Sequence, residues 1–323
     1  IVRSLGFGNL KPPTPPAEEH LPRWRRAFEG LRHNKKRDAE AIQHHYDVSN
    51  RFYELVLGPS MTYTCAVYPT AESTLEEAQF EKYDLICRKL GLQPGQRLLD
   101  IGCGWGGMVR HAAKHYGVKV VGVTLSREQA AWAQAEVERQ GLADLAEVRF
   151  GDYRDVVETG FDAVSSIGLT EHIGVRNYPA YFQFMHDKVR PGGRVLNHCI
   201  TRRNNKTTTT GAFIDRYVFP DGELTGVGRI TVAAQESGLE VRHVENLREH
   251  YAMTLAGWCR NLVDNWDACL GEVTEGRAKV WGIYMAGSRL AFERNEIELH
   301  HVLAVKPGAD GDAAWPLRPT WLS

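Results

Sequence analysis

Strand-like runs of apolar residues alternate with amphipathic stretches of helical spacing along most of this chain. Such an alternation predicts an α/β fold, in which a mostly parallel sheet carries helices on both faces. The predicted helices cover residues 75–92, 106–117 and 127–142. The predicted strands cover residues 97–104, 118–126, 146–152, 161–168, 192–200, 239–247 and 297–306.

The alternation breaks after Ile200. Residues 201–211 are polar and rich in threonine, which favours a loop. Residues 213–224 mix aromatic and turn-forming residues, as an inserted lid does, and later residues return to a helical pattern rich in tryptophan and tyrosine. We therefore expect one domain over residues 39–323, with lid insertions at about 201–232 and 251–294.

The composition is that of an ordinary folded protein. It is 43% hydrophobic and 24% charged, which excludes a disordered chain. With 39 basic and 40 acidic residues, the net charge of −1 gives no reason to expect nucleic acid as a partner. No apolar run approaches the length that spans a bilayer. The six cysteines form no CxxC pair, which predicts reduced thiols in a cytoplasmic protein and no metal site.

The charge is unevenly distributed near the start of the chain. Residues 11–16, KPPTPP, predict a stiff linker, and seven basic residues lie between Arg23 and Arg37. Apolar residues recur on one helical face of this segment at Trp24, Phe28 and Leu31. The segment is either a solvated helix or an amphipathic helix that lies on anionic lipid headgroups. Because the chain does not begin with methionine, we expect residues 1–38 to be the remnant of an upstream N-terminal domain.

A cluster of glycines predicts a ligand-binding loop. Residues 98–107, LLDIGCGWGG, place it between a buried strand and a helix N-terminus, where the backbone can approach a ligand closely. A purely structural turn is the alternative. The glycine spacing, the absence of an acid after the second strand and the absence of a Walker lysine argue against dinucleotides and nucleoside triphosphates. Asp100 before the glycines and Asp152 after the third strand resemble instead the class I S-adenosylmethionine-dependent methyltransferases.

Further motifs narrow this resemblance to one family. They are HHYDVSN at 44–50, MTYTCA at 61–66, TLSREQ at 124–129, EHIG at 171–174, HCI at 198–200 and HY at 250–251. Together they resemble the cyclopropane fatty acid synthase and mycolic acid methyltransferase family over about residues 39–306. The chain is most similar to actinobacterial members that form methylene- or methyl-branched stearate. The resemblance implies a Rossmann-like sheet of seven strands, N-terminal helices and a helical lid over an acyl site.

The resemblance also implies the reaction. A methyl carbon passes from S-adenosylmethionine to the cis double bond of an unsaturated phospholipid acyl chain, which leaves a carbocation. A bicarbonate or carbonate ion then accepts a proton from the added carbon, giving a cyclopropane or, after a hydride shift, an exocyclic methylene. The implied partners are phospholipid acyl chains at the inner face of the membrane and a reductase that saturates a methylene product. A homo-oligomer is left open.

Site residues follow from the same likeness. The ion would be held by the backbone amide at Cys65, by the side chains of Glu171, His198 and Tyr251, and by main-chain groups near Gly168 and Ile200. The cofactor would contact Tyr63 and Thr64 at its methionine end, with Gly102 and Gly104 below them. Its ribose and adenine would meet Thr124, Leu125, Gln129, Asp152 and Tyr153.

Several positions depart from the family pattern. Thr170 replaces a large apolar residue, the 220–228 loop differs, and His300-His301 stand where an aromatic–glutamine pair is common. The first two lie near the expected acyl site, so cyclopropane and methylene products both remain open. Two other functions also remain open. A methyltransferase for a small polar acceptor predicts a polar pocket, and a non-catalytic lipid-binding subunit predicts no catalytic groups.

Overall fold

The structure is a computed structural model that describes residues 49–219, 222–319 and 321. The linker, the basic segment 23–37 and most of the 44–50 motif therefore lie outside the described residues. Within the described part of the chain, no helix is both long and apolar enough to cross a membrane.

One sheet of seven strands organises the described residues. The described residues form nine strands, seven of which belong to this sheet. They are β1 (Arg97–Ile101), β2 (Lys119–Thr124), β3 (Ala146–Phe150), β4 (Phe161–Ile167), β5 (Val189–Arg202), β6 (Thr208–Thr209), β7 (Glu223–Leu224), β8 (Glu240–Asn246) and β9 (Ile297–Val305). The sheet order is β3-β2-β1-β4-β5-β9-β8, while β6 and β7 pair separately. The first five strands pair in parallel, and β9 runs antiparallel to β5 and β8. The predicted mostly parallel α/β sheet is confirmed.

Helices flank the sheet. They are α1 (Asn50–Leu57), α2 (Leu75–Leu90), α3 (Gly107–Tyr116), α4 (Arg127–Arg139), α5 (Tyr178–Lys188), α6 (Ala212–Tyr217), α7 (Val227–Glu236), α8 (Arg248–Asp264), α9 (Trp266–Leu270) and α10 (Glu275–Glu293). Local signals set their ends. At α2, Thr74 and Glu77 form a reciprocal capping box, and Gly91 ends the helix in the left-handed region with φ of 66°.

Side chains of the central strands alternate between two apolar layers. Leu98 packs with α2, α3 and α4 on one face, and Leu99 packs with α5 and α7 on the other, because successive residues of a strand point to opposite faces. A third apolar cluster joins α1, α8 and α10 through aromatic residues, including Phe52, Trp258 and Trp281. The Tyr53 ring lies 4.7 Å from the ring of Trp105 in the glycine loop, which ties this cluster to the sheet.

The region after Ile200 differs from the prediction. Strand β5 continues to Arg202, because its pairing with β9 extends to Ile297 and the Arg202 amide donates to the Thr225 carbonyl at 2.9 Å. Two of the expected loop residues form β6. Residues 227–232, which the sequence predicts within the lid insertion, begin α7, and Ile230 of this helix packs in the core of the sheet. Sheet pairing and core burial thus override the polar local pattern.

Candidate active site

The glycine loop leaves open space at the carboxyl end of β1. Gly102, Gly104 and Gly106 all have positive φ, at 73°, 54° and 71°, which glycine adopts without strain. The Gly102 and Cys103 amides donate to the Val123 carbonyl and tie the loop to β2. A Cβ added at Gly104 would meet no atom within 4 Å. A ligand can therefore approach the backbone at this point.

A cavity opens in front of this loop. Five residues predicted to contact the cofactor line it, namely Tyr63, Thr64, Gly102, Gly104 and Gln129. Thr124 lies beside it, with its hydroxyl donating to Gln129 Oε1 at 2.9 Å. Leu125, Asp152 and Tyr153 do not line this cavity, although they follow the carboxyl ends of β2 and β3. The Asp152 carboxylate is held by the Arg154 guanidinium at 2.6 Å.

Sequence reasoning missed two side chains of α2 that position Thr64. The Gln79 amide donates to the Thr64 carbonyl at 3.0 Å, and the Lys82 ammonium donates to the Thr64 hydroxyl at 2.9 Å. Burial lowers the pKa of Lys82 to about 7, although the Cys65 and Asp100 side chains oppose this shift. Both residues lie on the buried face of α2. The sequence did contain a signal for them, because both are polar residues at helical spacing on a helix face predicted to be apolar.

A second and larger cavity of about 410 Å³ adjoins the first. This volume falls in the range of about 300–1,000 Å³ that small-molecule sites occupy. Seven predicted site residues line it, namely Tyr63, Thr64, Gly168, Glu171, His198, Ile200 and Tyr251. Its walls are mostly apolar and aromatic, and include Phe213, Ile214, Phe219, Leu224, Leu255, Tyr284, Phe292 and Leu299. Tyr63, Thr64 and Gly168 line both cavities, so the two meet at this wall.

Glu171 presents a buried carboxyl oxygen to the second cavity. It lies in a short 3₁₀ helix after β4, and its Oε1 accepts from the Ile200 amide at 2.6 Å. Its Oε2 is buried with no hydrogen-bond partner in the described part of the chain. Burial raises the pKa of Glu171 to about 7, because desolvation of the carboxylate outweighs the backbone hydrogen bonds that favour it. Near neutral pH, the group is therefore available as a proton donor as well as an acceptor.

His198 also presents an unsatisfied atom to this cavity. Its Nδ1 contacts His301 Nε2 at 2.8 Å, whereas its Nε2 has no partner among the described residues. Burial and the nearby lysines hold the pKa of His198 well below its ordinary value. The imidazole is therefore neutral and carries a single N–H.

The remaining predicted ion contacts are arranged differently. The Cys65 side chain does not line the second cavity, and its thiol lies 3.1 Å from the Ala66 carbonyl. Burial raises the pKa of this thiol well above its ordinary value, which leaves it protonated. The Gly168 amide donates to the His198 carbonyl at 2.8 Å, and the Ile200 amide donates to Glu171 Oε1 at 2.6 Å. Both amides are thus engaged within the chain.

Comparison with known proteins identifies relatives of this chain. The family described as "Mycolic acid cyclopropane synthetase" matches residues 33–302, which is most of the chain. The chain belongs to this family. It is 65% identical over 322 residues to a "Probable fatty acid methyltransferase" of Mycobacterium tuberculosis, an alignment that covers 99% of this chain and 75% of that protein.

Two further members extend the comparison. The cyclopropane-fatty-acyl-phospholipid synthase of Escherichia coli strain K12 is 34% identical over 270 residues, which cover 84% of this chain and 69% of that protein. The crystal structure of mycolic acid cyclopropane synthase CmaA1 complexed with SAH and CTAB has a TM-score of 0.77 at 33% identity, covering 82% of this chain and 97% of that one. The predicted family and enzyme class, an S-adenosylmethionine-dependent methyltransferase, are confirmed.

The raised pKa of Glu171 predicts a dependence of stability on pH. An unfolded glutamate ionises near pH 4.3, whereas Glu171 in the fold ionises near pH 7. Stability is therefore lost as the pH rises from about 4 to about 7, by roughly 3 kcal/mol. Glu171→Gln removes this loss, so the variant should gain stability relative to the wild type between pH 4.5 and pH 8.

Urea unfolding at the two pH values measures this difference. Glu72→Gln, at an exposed glutamate, is the matched control and should show no comparable gain. An equal difference between Glu171→Gln and the wild type at both pH values would show that Glu171 is ionised in the folded protein at neutral pH.

Proposed function

We propose that this chain transfers a methyl carbon from S-adenosylmethionine to the cis double bond of an unsaturated phospholipid acyl chain. The reaction passes through a carbocation, and deprotonation of the added carbon gives a methylene-branched or cyclopropane fatty acid. The observation that carries the proposal is the wall shared by the two cavities at Tyr63, Thr64 and Gly168. A methyl donor in the first cavity and an acyl-chain acceptor in the second cavity can meet there.

The first cavity suits S-adenosylmethionine. The open backbone at Gly104 admits a close approach, and no anion-binding lysine of the Walker type is needed because the cofactor carries no phosphate. When bound, the cofactor supplies an electrophilic methyl group. Tyr63, Thr64, Gly102 and Gly104 would hold its methionine end. Thr124, Leu125, Gln129, Asp152 and Tyr153 remain the proposed contacts of its ribose and adenine.

The second cavity suits an acyl chain that develops positive charge. Its mostly apolar walls offer few hydrogen-bond partners to water, which would otherwise capture a carbocation. The aromatic side chains of Tyr63, Phe219 and Tyr284 line it, and the faces of such rings attract cations. The rings of Tyr63 and Phe219 lie 6.2 Å apart and nearly parallel. This lining favours a lipid over the small polar acceptor of the alternative hypothesis.

A bicarbonate or carbonate ion fits in the second cavity, beside the proposed acyl chain. Buried polar atoms are nearly always hydrogen-bonded, yet Glu171 Oε2 and His198 Nε2 have no partner among the described residues and line one cavity. The ion would be held by these two side chains, Tyr251 and the Cys65 amide, whereas the Gly168 and Ile200 amides already donate within the chain. When bound, it supplies a proton acceptor. Glu171 can hold a proton at Oε2, and His198 orients the ion through Nε2. These groups argue against a non-catalytic subunit.

Isotope incorporation tests this function. The protein is incubated with methyl-labelled S-adenosylmethionine and vesicles of oleoyl phospholipid, and in parallel with a mixture of small polar acceptors. We expect label in a one-carbon-extended fatty acid, identified by mass spectrometry after lipid hydrolysis. Label in the polar acceptors alone would contradict the proposal. The cyclopropane and methylene products are isomers of equal mass, so proton NMR of the isolated fatty acid distinguishes them, and a methylene product would call for a reductase as the proposed partner.

Access to phospholipid requires contact with a membrane, and we propose peripheral association with its inner, cytoplasmic face. The basic segment 23–37 would provide this contact through anionic headgroups. Replacing its seven basic residues with glutamine should weaken binding to vesicles that contain anionic lipid and leave cofactor binding unchanged. Vesicle sedimentation and calorimetry measure the two quantities. Unchanged sedimentation of the variant would assign the contact to another surface.

A further inference from the structure

Four polar side chains contact one another in series, and the last of them lines the second cavity, where the acyl chain is proposed to bind. Glu245 on β8, His301 on β9 and His198 on β5 stand opposite one another in the register of three adjacent strands. Their side chains therefore share one face of the sheet. Lys89 of α2 packs against this face and contacts both Glu245 and His301. Of the four, only His198 lines the cavity.

The contacts fix the direction of each hydrogen bond. Glu245 is about one-third exposed and pairs with the fully buried Lys89 side chain. Burial lowers the pKa of Lys89, and the Glu245 carboxylate opposes this shift. As an ammonium, Lys89 can only donate, so it donates to His301 Nδ1 at 2.9 Å. A neutral imidazole has one N–H, which places the hydrogen of His301 on Nε2.

The same reasoning gives the position of the hydrogen on His198. Burial and the neighbouring Lys89 hold the pKa of His301 well below its ordinary value, so this ring is neutral. Its Nε2–H lies 2.8 Å from His198 Nδ1, which must accept because it faces a donor. The hydrogen of neutral His198 therefore resides on Nε2, the atom that faces the cavity without a partner among the described residues.

We propose that Glu245, Lys89 and His301 are positioning residues that lock His198 into its Nε2–H tautomer, so that it donates a hydrogen bond to the ion that serves as base. The inference deepens the proposed function and rests on it for the identity of the acceptor. The opposite tautomer would present a lone pair to an oxygen anion and repel it. Locking the donor in advance removes this alternative before the ion binds.

Nitrogen-15 chemical shifts of histidine measure the tautomer without turnover. The protein is labelled at its histidines, and the loss of one set of signals in His198→Gln identifies His198 among the 13. We expect a protonated Nε2 and an unprotonated Nδ1 for His198 in the wild type. A hydrogen on Nδ1 would overturn the proposal, whether or not the protein methylates lipid.

Two substitutions at His301 separate positioning from packing. A glutamine can accept from Lys89 through its carbonyl and donate to His198 through its amide, so His301→Gln should keep the tautomer and the turnover rate. His301→Leu removes the donor, so His198 should become a mixture of tautomers. Its kcat should fall about tenfold or more, with KM for S-adenosylmethionine unchanged. Equal kcat and equal spectra for the two variants would overturn the proposal.

A substitution at Lys89 keeps the proposal testable if a His301 variant fails to fold. Lys89→Met removes the donor to His301 and leaves Glu245, which is partly exposed and can be hydrated. Its His198 signals should also indicate mixed tautomers. Circular dichroism and thermal unfolding monitor the fold of each variant. A wild type with the predicted spectrum but no transfer to lipid would refute the proposed function alone, whereas active enzyme with the opposite tautomer would refute only this inference.

Discussion

Glu171→Gln is expected to lower the rate of methyl transfer to oleoyl phospholipid by about 10²–10⁴-fold, the range attributed to a single acid–base group. Glutamine keeps the acceptor for the Ile200 amide, which Glu171 Oε1 now binds at 2.6 Å. It cannot release or take up a proton at the buried position of Oε2. The first cavity is not lined by Glu171, so affinity for S-adenosylmethionine should stay within about twofold of the wild type. Single-turnover rates and calorimetric titration measure the two quantities.

Glu72→Gln controls for the loss of a carboxylate as such, because Glu72 is exposed and lies outside both cavities. Its rate should match that of the wild type. Turnover by Glu171→Gln at the wild-type rate would remove Glu171 from the chemistry. A parallel loss of cofactor affinity would instead indicate that the substitution disturbs the wall between the cavities.

Ala291→Trp is expected to lower the rate of transfer to oleoyl phospholipid by about tenfold or more. Ala291 lies on α10 and lines the second cavity, so a large ring there would occupy space in which the acyl chain is proposed to bind. Excluding two methylene groups, at about 0.8 kcal/mol each, is enough for a tenfold effect on affinity. The loss should appear mainly in KM for the lipid and should shrink for shorter acyl chains. Affinity for S-adenosylmethionine should not change.

Ala286→Trp provides the matched control on the same helix. Ala286 is exposed and does not line the cavity, so the same substitution there should leave the kinetics unchanged. Steady-state rates with phospholipids of two acyl lengths measure both variants. Equal rates for Ala291→Trp and the wild type would show that the acyl chain does not occupy this cavity.

Local patterns predicted the sheet and the glycine loop because their signals are contiguous in sequence. The run 98–107 contains the apolar strand, the glycines and the start of the next helix, and the structure places all three as expected. The polar stretch after Ile200 was different. There, pairing with β9 and β7 determined the conformation, and no local pattern reports on a partner about 95 residues away, as in Arg202 with Ile297.

Chemical roles at the site depended more heavily on tertiary contacts. Motif likeness brought Glu171, His198 and Tyr251 to attention, and the structure places all three around one cavity. It could not indicate that the Gly168 and Ile200 amides are already engaged within the chain. Nor could it connect Lys89 to His301, because side chains 212 residues apart meet only through the packing of α2 on the sheet.

Deuterium retention tests the central claim most directly. The protein is supplied with S-adenosylmethionine whose methyl group carries three deuterium atoms, and the oleoyl phospholipid product is examined by mass spectrometry. Transfer to the double bond followed by deprotonation of the added carbon predicts a product fatty acid that retains two of the three deuterium atoms, as a cyclopropane or a methylene. Retention of all three, or label confined to molecules other than the acyl chain, would contradict the account.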